Sequence, residues 1–116
     1  MRRRSTLLWL LLLPACGSRA QPAPLSLIRT PDGPNTRLAL VASPGLKLNA
    51  RLAPALELPG GTILRFHGTH LTSDSAYFAE PPVALLSGHQ PVVHGVLRAS
   101  VCDSGATVCR SVEVHL

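Results

Sequence analysis

Proline spacing restrains this chain more than any other feature. Pro44, Pro54, Pro59, Pro81 and Pro82 cut its middle into short pieces. Each proline removes a backbone donor and clashes with a preceding helical turn, so little room is left for a long helix. What lies between them is strand-like. Leu38 to Ala42 is a short apolar run closed by Ser43-Pro44-Gly45. Leu46, Leu48, Ala50 and Leu52 alternate with Lys47, Asn49 and Arg51, the period-two signature of a half-buried strand. Ala55 to Leu58 runs into a Pro59-Gly60-Gly61 turn, and Thr62 to Phe66 and Val83 to Leu86 are further candidates. Short strands separated by regular turn signals predict an all-β domain, a small sandwich of immunoglobulin-like size. A small open barrel is the alternative.

The last quarter of the chain, Val92 to Leu116, carries the chemistry. Two β-rich arms flank a turn containing Asp103, Ser104 and Gly105, residues that tolerate a reversal. If Cys102 faces Cys109, Ser100 faces Ser111 and Arg98 faces Glu113, while Leu97 meets Val114 and Ala99 meets Val112 on the other face. One register thus gives polar pairs on one side and apolar pairs on the other. Val101 with Arg110 alone fits badly, beside the turn. Directly opposed residues lie roughly 4.5 to 5.5 Å apart, within disulfide reach. The expectation is a bond on the wet face, shared with Arg98, Ser100, Ser111 and Glu113. Its short loop places it at the low end of the roughly 2 to 4 kcal/mol that disulfides contribute. Weak stapling and thiol access favour a redox role.

The chain opens with Arg2, Arg3 and Arg4 before an apolar run from Leu7 to Leu13, the form of an export signal too short to span a bilayer. The following Leu13-Pro14-Ala15-Cys16 resembles a bacterial lipoprotein cleavage box, with Pro14 departing from its usual residue. The Arg3-Arg4 pair is a partial match to a twin-arginine signal. The expected division is a lipoprotein signal over 1–15, lipidated Cys16 and a Pro-rich tether over 16–34, and the sandwich over 35–116. Three cysteines leave an odd thiol in an exported protein. Lipidation of Cys16 would resolve this, leaving one pair in an oxidising compartment. Three of the eleven Lys/Arg fall in the signal, so eight face six Asp/Glu and the mature charge is about +2. With one Trp, one Tyr, two Phe and no basic cluster, nucleic-acid binding has no support.

Other chemistry finds little footing. His67, His70, His89, His94 and His115 include one usable spacing, His67-Gly-Thr-His70, with no carboxylate or cysteine in the immediate motif. Surface roles are expected for all five, and no cofactor is implied. There is no G-x-S-x-G elbow, no phosphate loop and no catalytic carboxylate pair. His67 to Glu80 is a polar segment carrying Tyr77 and Phe78. It reads either as a cap whose aromatic shields the sulfurs, or as a solvated loop with Phe78 filling a core edge. Arg98 and Arg110 are the candidates for stabilising a thiolate.

The segment LRASVCDSGATVCRSVEVHL, with a glycine before its first strand, resembles the periplasmic N-terminal domain of DsbD-type thiol:disulfide interchange proteins. The resemblance covers about the last quarter of the chain. Two departures stand out: Arg110-Ser111 follows the second cysteine, and the spacing between the cysteines is slightly long. It implies an immunoglobulin-like sandwich whose Cys102 and Cys109 relay electrons to or from a thioredoxin-like or other thiol:disulfide exchange protein. The aromatic cap of that family has no clear counterpart here. Such a domain would sit in the periplasm or cell envelope, held to the membrane by the lipid on Cys16. The alternative is a structural or binding lipoprotein whose disulfide only staples the last hairpin.

Overall fold

The computed structural model describes residues 23–105 and 108–116. The expected signal over 1–15 and the lipidation site Cys16 lie outside the described residues. Within them the chain is all-β, with eight strands: β1 (Leu25–Asp32), β2 (Asn35–Ala42), β3 (Leu46–Leu48), β4 (Ala55–Glu57), β5 (Ile63–Arg65), β6 (Val83–Ser87), β7 (Val96–Asp103) and β8 (Cys109–His115).

They form two antiparallel sheets. One has the order β1-β2-β6. The other is built around β7, which pairs β8 along one edge and both β3 and β4 along the other, with β5 outside β4. The facing sides close a core of Leu25, Leu38 and Leu40 against Leu48, Leu56, Leu97 and Val101, with Phe66 between strands. Alternation explains which residues go inside. On β2, Thr36, Leu38 and Leu40 are buried, while Arg37 is exposed. Each buried leucine contributes roughly 1.5 to 3 kcal/mol relative to exposure. The sheets are also joined by a hydrogen-bonded bridge at the start of β6. His67 N–H donates to Val83 O (2.9 Å), and Val83 N–H donates back to His67 O (2.8 Å). The fold is a small β-sandwich bridged along this side.

Two expectations need correction. The tether expected up to Pro34 ends earlier, because Leu25–Asp32 is a strand paired with β2 over its whole length. Leu25 is buried in the core and Leu27 packs against it. Gly33, at a φ of 57°, and Pro34 form the two-residue loop of this hairpin. Glycine supplies the positive φ that a tight hairpin turn needs. The alternating run from Leu46 to Leu52 is also shorter than expected, because β3 stops at Leu48. Asn49 Oδ1 accepts the Arg51 N–H at 2.9 Å, a side-chain turn that diverts the backbone. Leu52 ends up 58% exposed.

Gly95, just before β7, has a packing role. Its φ is +148°, and a Cβ there would collide with the Glu57 carbonyl oxygen and Leu56 Cδ1. Only glycine lets β4 and the start of β7 approach this closely.

Candidate functional site

The β7–β8 hairpin pairs in the register anticipated from sequence, from Val96 with His115 to Cys102 with Cys109. Leu97 and Ala99 are buried, and Val112 and Val114 pack against the core. Arg98 Nε donates to Glu113 Oε1 at 2.8 Å, and Arg98 Nη1 reaches Glu57 Oε1 at 3.2 Å. Cys102 and Cys109 are disulfide-bonded with their Cα atoms 3.9 Å apart. Asp103 N–H donates to Val108 O beside them (3.1 Å), which makes the cysteines a closely spaced, non-hydrogen-bonded pair.

On its other edge, β7 turns its polar groups toward β3. Ser104 N–H donates to Gly45 O, and Asn49 N–H donates to Ser100 O, both at 2.9 Å. Cys102 lies midway between these bonds, with Lys47 as its register partner. Lys47, Cys102 and Cys109 therefore form one row across three strands, with side chains on one face.

The two sulfurs do not share one environment. Cys102 is 1% exposed, whereas Cys109 is exposed. This corrects the expectation of a uniformly wet face. Ser100 is buried as well, its hydroxyl accepting from Asn49 Nδ2 at 3.3 Å, while Ser111 opposite is exposed. The cause is position in the sheet. Strand β7 has neighbours on both edges, whereas among the described residues β8 is paired only on the β7 side.

The segment over His67–Glu80 is a small self-bonded reversal, not an open loop. Leu71 bridges Phe78, Thr72 N–H donates to Tyr77 O, and Tyr77 N–H donates to Thr72 Oγ1. Asp74 accepts from the Thr72 hydroxyl (2.6 Å) and the Ala76 N–H (3.1 Å). The Thr72 hydroxyl first, then the Ala76 amide, hold its carboxyl below the usual range. This arrangement separates the two aromatic residues. Phe78 packs against the core, with its ring over Gly68. Tyr77 bridges Asn49, and its ring centroid lies 5.0 Å from Lys47 Nζ. Tyr77 thus reaches the cysteine row through Lys47.

The two arginines are engaged elsewhere. Arg98 is held between Glu57 and Glu113, four residues along β7 from Cys102. At about 3.3 Å per residue, that separates their backbones by roughly 13 Å. Arg110 sits opposite Val101, on the other face from the sulfurs, and bonds Asp103 Oδ1 at 3.3 Å. That contact accounts for the pair that fitted badly by pattern. Lys47 is the cation in the sulfur row, and sequence reading missed it. Only the pairing of β3 with β7, more than fifty residues apart, puts it there.

Among the histidines, His70 Nδ1 lies 3.2 Å from Glu80 Oε2, a carboxylate beyond the immediate motif. Among the described residues no three His, Cys, Asp or Glu side chains gather closely enough to hold a metal ion. A depression of about 450 Å³ lies between Arg29, Thr36, His89 and Pro91 and includes none of the disulfide's neighbours. No family model matches the chain, and neither does any curated protein or solved structure.

Proposed function

We propose that this chain is a thiol:disulfide exchange module in which Cys102 and Cys109 relay electrons to or from a thioredoxin-like partner. The reading extends the likeness of its last quarter to the N-terminal domain of DsbD-type interchange proteins. The observation that carries it is the unequal exposure of two directly bonded sulfurs, with Cys109 open and Cys102 covered. An attacking thiolate must approach in line with the bond it breaks. At Cys109 that approach comes from outside β8, where the sheet has no further strand among the described residues. At Cys102 it would come from the side occupied by β3. Access therefore selects the sulfur attacked.

A partner thiolate attacks Cys109 Sγ, a mixed disulfide forms, and the electron pair of the broken bond stays on Cys102 Sγ. The partner's second thiol, once deprotonated, attacks its own sulfur of the mixed disulfide and releases the Cys109 thiolate. Both cysteines then take up protons. The partner is oxidised by two electrons and this chain is reduced by two; the reverse sequence runs the other way.

Export and lipid anchoring at Cys16, with placement in the periplasm or cell envelope, belong to the same proposal and rest on the N-terminal pattern. The competing reading is a structural or binding lipoprotein with a stapled hairpin. The reduction potential separates the two. Equilibrating the mature chain in graded thiol buffers and trapping with an alkylating reagent should give a value above about −270 mV, with exchange against a thioredoxin-like protein. A value below roughly −300 mV with negligible exchange makes the bond a staple.

A further inference from the structure

Breaking the disulfide at Cys109 leaves a negative charge on Cys102, in one of the most buried positions of the molecule. Burial disfavours a thiolate, and a leaving group of higher pKa departs more slowly. The site needs a cation close to Cys102 if exchange is to be fast. Arg98 and Arg110 are committed to carboxylates, one four residues away and one on the opposite face. Lys47 is the direct register partner of Cys102, on the same face and about 5.5 Å away by backbone geometry. Its ammonium rests above the Tyr77 ring, and no carboxylate pairs with it among the described residues. A cation on an aromatic face is held without being neutralised, and its flexible stem allows it to turn toward a new charge.

We propose that Lys47, parked on Tyr77 while the disulfide is intact, stabilises the Cys102 thiolate released when a thiolate attacks Cys109. Lys47 is a positioning charge for the leaving group and forms no covalent bond. Tyr77 therefore serves the site by holding that charge. The inference rests on the exchange reading above. It gives the polar segment carrying Tyr77 a role in the electrostatics of the sulfur row.

The test reads Cys102 directly. In a Cys109→Ser chain, thiolate absorbance near 240 nm titrated against pH gives the Cys102 pKa without requiring any reagent to reach it. Adding Lys47→Met, which keeps the stem and removes the charge, should raise that pKa by about one unit. Lys47→Arg should restore most of the shift. In the chain with both cysteines, Lys47→Met should slow reduction by dithiothreitol several-fold, because a leaving group of higher pKa departs more slowly. An unchanged Cys102 pKa in Lys47→Met overturns the assignment, even if the parent chain exchanges readily with a thioredoxin-like protein. A potential below roughly −300 mV in the parent chain removes the exchange reading itself, and the role of Lys47 goes with it.

Discussion

Arg98 joins two strands on either side of β7 by bonding Glu57 on β4 and Glu113 on β8. These contacts raise the arginine's own pKa, with Glu113 the larger cause, and Arg98 lowers that of Glu113 through its hydrogen bond first and its charge second. The groups are solvent-exposed, so the direction of the effect matters more than its size. Glu113 titrates below the ordinary glutamate value of 4.5 in the folded chain, so the unfolded chain holds more protons just below that pH. Stability should therefore rise with pH through that window and be lost as the pH falls through the folded value. Glu113→Gln should flatten this part of the pH–stability curve, as read by urea unfolding between pH 2.5 and 6. An unaltered slope would mean that the ion pair is not maintained in solution.

The β7–β8 hairpin was the most legible element, and the reason is local. Its charge pair, hydroxyl pair, cysteine pair and apolar pairs agree on a single register, and a slip of one residue would turn every side chain to the wrong face. The same pairing says how much the hairpin depends on its disulfide. Strand β7 is paired along both edges and sends Leu97, Ala99 and Val101 into the core, so its place does not rest on the bond. Reduction should leave the chain folded and lower its stability by about 2 kcal/mol, the low end for a short closed loop. Denaturant midpoints with and without reductant measure this, with reduction preferred to Cys102→Ser because a serine would bury a hydroxyl at that site. Global unfolding on reduction would favour the staple reading. Other elements were less legible from pattern alone. The alternation from Leu46 to Leu52 is sound as a period, but the Asn49 side chain ends the strand after Leu48.

Across the whole molecule, the largest revision concerns where the domain begins. Residues 25–32 contain Pro31 and lie in a Pro-rich stretch, so composition favoured a tether. Yet Leu25, Ser26 and Leu27 alternate apolar, polar, apolar, and Gly33 stands at the turn, signals of a hairpin that composition hid. A chain beginning at Asn35 should lose cooperative unfolding, because β2 would lose one of its two partners and Leu38 and Leu40 part of their cover. A chain beginning at Ala23 should unfold as the full mature chain does. Thermal melts followed by circular dichroism compare them, and an equally sharp transition for the Asn35 chain would refute the assignment of β1 to the core.

What the amino-acid order determines by itself is whatever depends on neighbours along the chain. The proline spacing that excludes long helices, the all-β class and the register joining Cys102 to Cys109 are of this kind. The tertiary structure decided what depends on residues brought together from far apart. It buried Cys102 beneath the edge formed by β3 while leaving Cys109 on the outer strand, brought Glu57 to Arg98, and set Lys47, with Tyr77 against it, in the row of the sulfurs. Strand periodicity assigns a residue to a face, but how deeply that face is covered depends on which strands flank it, and that is fixed only when the sheets assemble.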